Sequence, residues 1–234
     1  MTGKSFSSVW LREPRKAGGP GRSREEIVKA AVELLDEEGL QGLSMRKLGA
    51  KLSAGATSVY WYVANKDELL ELAYDEVWRM MTVPDPEEVG WRDSAAALAH
   101  SMRRVILRYP WAADLIGRMP ALGPNAMRVA NGMRKMFDLA GFRGLDIDFA
   151  NSTLTAYVFG MTIPEVAWNA TMGDLDDYDA DKTREMVRKA AADYPDMLKR
   201  IDMGSYEDPA YMRELCFDFG LVSLLDGLER RLTT

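Results

Sequence analysis

The chain has 234 residues, 47% of them apolar, which is enough to build a sizeable core. One cysteine, Cys216, and one histidine, His100, exclude an internal disulfide framework and a zinc site built from several such ligands. The formal charge of −6 is unevenly spread: residues 1–52 hold ten Lys/Arg against seven Asp/Glu, and the rest hold twenty against twenty-nine. A basic end on an acidic body suits a protein that meets DNA with one small face.

Residues 1–22 lack periodicity and combine Pro14, Gly18, Gly19, Pro20 and Gly21 with Lys4, Arg12, Arg15, Lys16 and Arg22. They read as a flexible basic arm, either a leader without function or a segment that tracks a DNA minor groove. The N-terminus lacks the apolar stretch of a secretory signal, and no uncharged apolar run is long enough to span a membrane, so a cytoplasmic protein is expected. Ser23 and Glu26 form a capping box that opens a helix carrying Ile27, Ala30, Ala31, Leu34 and Leu35, stopped by Gly39. Ser44 caps a second helix with Met45, Leu48 and Leu52 inward and Arg46, Lys47 and Lys51 outward. Ala54-Gly55-Ala56 supplies a close turn, and Thr57 to Val63 a further short helix. Asn65 and Glu68 then start a longer helix bearing Leu70, Ala73, Tyr74, Val77, Trp78 and Met81 on one face.

Pro84 and Pro86 mark a break, after which every segment has helical periodicity. One stripe runs from Trp91 to Tyr109, a short helix covers about 111–116, and a Gly/Pro-rich loop spans 117–124. Another stripe runs from Ala126 through Met133, Met136 and Phe137 to Gly141. Residues 146–163 are apolar on more than one side, and Pro164 predicts a kink or an end. A polar amphipathic helix is expected at roughly 181–200. A last helix at about 208–231 carries two apolar stripes, Leu215, Phe219, Val222 and Phe217, Leu221, Leu224, Leu228. With no two-residue alternation and no repeat, the fold class is all-α. The acidic run Asp174, Asp176, Asp177, Asp179 lacks the glycine that a calcium loop requires and reads as a solvated loop. Cys216 reads as a packing residue rather than a nucleophile.

The run Leu48-x-x-x-Leu52, followed by small residues and then Val-Tyr-Trp-Tyr-Val-Ala-Asn-Lys-Asp-Glu-Leu-Leu at 59–70, resembles the DNA-binding domain of the tetracycline-repressor (TetR) family of bacterial transcriptional regulators. The spelling at 60–66 is similar to the tetracycline-repressor branch itself, and residues 217–232 look like that branch's last helix. The resemblance implies a homodimer in which the arm 1–22 precedes a helix-turn-helix domain, 23–66, and a ligand-binding and dimerisation domain, 67–234. It further implies a repressor, not an enzyme and without a cofactor, that a bulky hydrophobic small molecule releases from a palindromic operator of double-stranded DNA controlling an efflux or resistance gene. The competing reading is a helical protein that binds a partner or a small molecule without operator activity.

By position in that family pattern, Arg46 is the candidate for a base contact, since a guanidinium can bond guanine O6 and N7 bidentately. Ala56, Thr57 and Ser58 stand where bases are read or brushed, Tyr60 and Trp61 where the sugar-phosphate backbone is touched, and Lys66 near a phosphate; Ser44 and Lys47 are weaker phosphate candidates. The Met- and aromatic-rich body suggests a pocket for an apolar ligand from Trp78, Met102, Trp111, Met119, Met127, Met133, Phe137, Tyr157, Met161 and Trp168, although helical spacing also suits each to plain packing. The expected dimer interface is the last helix with the 146–163 helix, through Leu154, Val158, Phe217, Leu221, Leu224 and Leu228. With His100 the only histidine, the magnesium–tetracycline complex would lack its usual ligand set, so a different hydrophobic effector is expected.

Overall fold

The computed structural model describes residues 8–11, 23–172, 179–202 and 209–233; at residues 56, 57, 172, 180, 202 and 209 it describes the backbone alone. Most of the basic arm and the acidic run at 174–177 therefore lie outside the described residues. These form twelve helices and no strand, as the periodicity predicts, in two compact units, Met1–Asn151 and Ser152–Thr234. None of the described helices is long and apolar enough to cross a membrane.

The first unit opens with a long helix and two short ones. In α1 (Arg24–Gly42) the predicted capping box is present: Ser23 Oγ accepts from the Glu26 N–H and the Glu26 carboxylate accepts from the Ser23 N–H, both at 3.1 Å. Gly39 interrupts α1 at φ 66°, and a last turn reaches Gly42. In α2 (Met45–Lys51) Ser44 Oγ accepts from the Lys47 N–H at 3.2 Å. The end of α2 is closed by Ser53 at φ 51°, with the Ser53 N–H on the Ala50 carbonyl and the Ala54 N–H on the Gly49 carbonyl. That bond pair is the left-handed helix stop usually given to glycine, so the turn starts one residue before the small-residue run suggested. The next helix, α3 (Ala56–Val59), is shorter than predicted, and turns carry the chain to Val63. Ile27, Leu34, Leu35, Leu43, Leu48, Leu52, Val59 and Val63 are all buried, giving this end its core.

Helix α4 (Lys66–Arg79) is capped by Asn65, whose side-chain oxygen accepts from the Glu68 N–H at 2.9 Å. It is buried nearly all round, including three acids, Glu68, Glu71 and Asp75. Burial pushes the Tyr74 phenol up to about 12. After α5 (Pro86–Val89) come α6 (Trp91–Arg108), α7 (Pro110–Ala113) and α8 (Pro124–Ala140), the last stopped by Gly141 at φ 113° as its sequence predicts. Leu98, Met102, Ile106, Met136 and Phe137 are fully buried in this core. The Phe137 ring meets Phe142 edge-on at 5.6 Å and Trp91 at 6.3 Å.

Helix α9 (Leu145–Met172) begins in the first unit and continues into the second. It runs through Pro164 and does not end there, and contacts with α12 (Pro209–Leu232) hold it on both sides of the proline. Before the proline, Tyr157 donates to the Phe217 carbonyl at 2.6 Å, and its ring lies 5.4 Å from the Phe217 ring. After it, Arg213 donates to Asn169 at 2.7 Å and lies 3.9 Å from Glu165. The single helix foreseen at 181–200 is two, α10 (Ala180–Ala190) and α11 (Pro195–Asp202), since Pro195 cannot continue a helix but can begin one. Cys216 is exposed, which corrects its expected packing role.

Candidate nucleic-acid interface and the helix behind it

The predicted DNA-reading residues share one end of the first unit. Arg46 and Ser58 are exposed, and Tyr60 and Trp61 are 47% and 63% exposed, unusual for rings of their size and consistent with a surface that awaits a partner. Ala56 and Thr57 lie on α3, but their side chains fall outside the described residues. Ser44 spends its hydroxyl as the α2 cap. The two outward lysines of α2 are already engaged: Lys47 pairs with Glu38, and Lys51 donates to Glu37 at 2.8 Å and faces Glu33 at 3.6 Å. The hydrogen bond with Glu37 holds the Lys51 ammonium above its usual range. Lys66 donates to the Leu40 carbonyl at 2.8 Å, so it first serves to close the end of α1. Two of its three N–H donors remain for a phosphate.

Behind this face, α4 is joined to the rest of the unit by polar clamps that sequence reasoning missed. Asp75 accepts from the Asn125 and Ala126 N–H groups at 3.2 and 3.0 Å and from the Asn125 side chain at 2.9 Å, capping α8 from another helix. In return, Arg128 of α8 donates to the carbonyls of Trp78, Arg79 and Met81 at 3.2, 3.4 and 2.9 Å, closing the end of α4. A Cβ at Gly123 would overlap the Asp75 carboxylate, so the approach of the two helices requires glycine there. A signal existed: α8 opens Gly-Pro-Asn with no cap from its own side chains, and its first N–H groups must find an acceptor elsewhere. Trp111 donates from its indole to Asp36 of α1 at 2.8 Å, with Arg108 3.8 Å from the same carboxylate.

The ten residues proposed for the pocket differ in burial. Met102 and Phe137 are fully buried and serve as packing, while Trp111 is buried and bound to Asp36. Trp78 and Met133 are buried, Met119 is half-buried and Met127 is exposed, all in the first unit. Tyr157, Met161 and Trp168 belong to the second unit, where Tyr157 is half-buried and Met161 and Trp168 are exposed, with Arg213 5.8 Å above the Trp168 ring.

The expected dimer residues are largely covered within the chain itself. Leu154, Val158, Phe217, Leu221 and Leu228 are buried and Leu224 half-buried within a single chain, in which Phe217 of α12 meets Tyr157 of α9. The stripe left exposed on α12 is the other one, Leu215, Phe219 and Val222, with Phe219 78% exposed.

The family described as "Tetracyclin repressor-like, C-terminal domain" is matched over residues 83–232, and "Bacterial regulatory proteins, tetR family" over residues 27–73. An HTH-type transcriptional regulator of Saccharopolyspora erythraea is 38% identical over 208 residues, 83% of this chain and 85% of that protein. The HTH-type transcriptional repressor DrrR1 of Streptomyces coeruleorubidus is 33% identical, across 93% of this chain and 81% of its own length. Among solved structures, the Streptomyces coelicolor protein ActR in complex with actinorhodin superposes with a TM-score of 0.75 at 26% identity, covering 92% of this chain and 100% of that one.

Proposed function

Because the chain belongs to the tetracycline-repressor (TetR) family of bacterial transcriptional regulators, we propose that it is a ligand-responsive repressor that a bulky hydrophobic small molecule releases from a palindromic operator. The observation that carries this reading is the capped α2–turn–α3 pair, with Arg46, Ser58, Tyr60 and Trp61 exposed on one end of a well-packed unit. Residues 23–66 read the DNA, and residues 67–234 hold the ligand and the second copy. Since Lys47 and Lys51 are paired with acids of α1, Arg46 is the main cation offered to the groove, supported by the remaining donors of Lys66. Two copies joined through the exposed Leu215–Phe219–Val222 stripe of α12 would present two such faces to successive major grooves.

The repressor reading draws on DrrR1 and the small-molecule reading on ActR bound to actinorhodin. Trp78 adds a local argument. It is buried, and its indole N–H makes no hydrogen bond of acceptable geometry, although the Tyr74 hydroxyl lies near enough to feel it. A ligand with an acceptor there would relieve a buried donor. Control of an efflux or resistance gene is the accompanying expectation.

Footprinting on DNA flanking the chain's own gene tests the proposal. A protected palindrome is expected, and Arg46→Ala should weaken its binding by about 10–100-fold, matching the 1–3 kcal/mol of a bidentate base contact. No specific site in that DNA would favour a small-molecule-binding protein without operator activity. Sedimentation should show a dimer that Phe219→Glu dissociates.

A further inference from the structure

Residues 8–11, expected to belong to a flexible arm, are folded onto the first unit. Ser8 and Val9 are buried. The Ser8 hydroxyl and the Val9 N–H both donate to Oε2 of Glu71 on α4, the second bond at 3.2 Å. The Trp10 N–H donates to Ser8 Oγ and the Leu11 N–H to the Ser8 carbonyl, both at 3.2 Å, which closes the segment into a turn. On its other side, the guanidinium of Arg24, the first residue of α1, sits 5.4 Å above the Trp10 ring. The turn is thus tied to both helices that frame the DNA-reading elements.

Glu71 is the reason this arrangement is informative. It lies in the middle of α4 and is only 6% exposed. A carboxylate in such a place is costly unless donors meet it, and the amides of its own helix are already committed to helical bonds. Its donors come instead from residues 62 and 63 positions earlier in the chain. Removing the turn would leave a buried charge without them, so the burial of Glu71 and the docking of 8–11 require each other.

We infer that residues 8–11 are a strap that sets α4 against α1, that Glu71 is the positioning residue that holds it, and that operator binding depends on the strap. This rests on the DNA-binding reading above. Helix α4 begins at Lys66, just after the turn that follows α3, so any looseness of α4 against α1 displaces the DNA-reading face. The strap acts through position and not through charge. Ser8 and Val9 are uncharged and buried, and they offer nothing to a phosphate.

The experiment compares full-length wild type with Ser8→Ala, Ser8→Thr and Glu71→Gln. It reads operator affinity across a range of salt concentrations, and amide hydrogen exchange over residues 66–79 in the DNA-free protein. Ser8→Ala should weaken operator binding roughly tenfold, the size set by one lost hydrogen bond to a charged group, and Glu71→Gln, whose amide oxygen can still accept both donors, should weaken it less. The slope of log affinity against log salt should match wild type, because no phosphate contact is lost. Exchange in α4 should quicken in both variants, and Ser8→Thr, which keeps the hydroxyl, should behave as wild type. If Glu71→Gln does not fold, Ser8→Ala and its threonine rescue carry the same test. Unchanged affinity, or a changed salt slope that places the segment on DNA, overturns the inference. If wild type itself binds no specific DNA, the DNA-binding reading fails and exchange alone decides: quickened exchange supports the strap's hold on α4, and unchanged exchange overturns it.

Discussion

Phe137→Ala is expected to destabilise the protein by about 3–5 kcal/mol, the cost of removing a fully buried ring whose neighbours can only partly collapse. The ring fits between Phe142, met edge-on at 5.6 Å, and Trp91 at 6.3 Å, and it lies on α8 in a core shared with α6. For a chain of this size the melting midpoint should fall by roughly 10 °C. Residue 137 was a candidate for the pocket wall on composition, and the two roles separate in a denaturation curve. A wall residue facing a ligand loses little stability on truncation, whereas a packing residue loses several kcal/mol with or without ligand. A loss under about 1 kcal/mol would sink the packing role.

Asp75→Ala should cost about 3 kcal/mol, combining a lost helix cap with buried N–H groups left without an acceptor. Asp75 accepts three hydrogen bonds at the start of α8 and is 4% exposed, so water cannot easily replace it. Asp75→Asn keeps the shape and one acceptor oxygen, and should cost less than the alanine variant. Gly123→Ala offers an independent route to the same joint, since its methyl group would overlap the carboxylate. Chemical denaturation of the three variants checks the order. Should Asp75→Ala unfold no earlier than wild type, the clamp between α4 and α8 contributes nothing.

Under the proposed ligand response, the same joint would carry the signal. Asp75 caps α8 while Arg128 closes the end of α4, so the start of α8 and the end of α4 are bound reciprocally. A ligand that shifts α8 must carry α4 with it, and α4 begins at the DNA-reading end. Such a ligand can shift the population of binding-competent protein only by its difference in affinity for the two positions. Together with Trp111 on Asp36 and the strap on Glu71, the clamps connect α4 and α1 to their surroundings through directional bonds as well as apolar packing.

Much of the fold could be read directly from local sequence. The caps at Ser23, Ser44 and Asn65 are where the short-range patterns place them, because a cap involves only residues three positions apart. The stop at Gly141 is equally local, since a φ of 113° suits glycine alone. The exposed end bearing Arg46, Ser58, Tyr60 and Trp61 was also legible, because its residues lie within one short stretch. Pro164 does not end α9, where contacts with α12, from a segment some fifty residues later, hold the helix on both sides of the proline.

What the sequence by itself determined is therefore the all-α class, most of the helices, the helix-turn-helix end and the family, all of which rest on short-range spacing and motif. Only the tertiary structure decided which apolar stripe of α12 is spent inside the chain and which stays exposed. Phe217, Leu221 and Leu228 are buried, the first against Tyr157 of α9, while Leu215, Phe219 and Val222 are exposed, and hydrophobicity alone cannot rank two stripes of similar composition. It also decided that Glu71 and Asp75, acids on which the sequence pattern is silent, are buried joints. Their donors lie 50 or more residues away, and burial of a charge is tolerable only once those donors are in place.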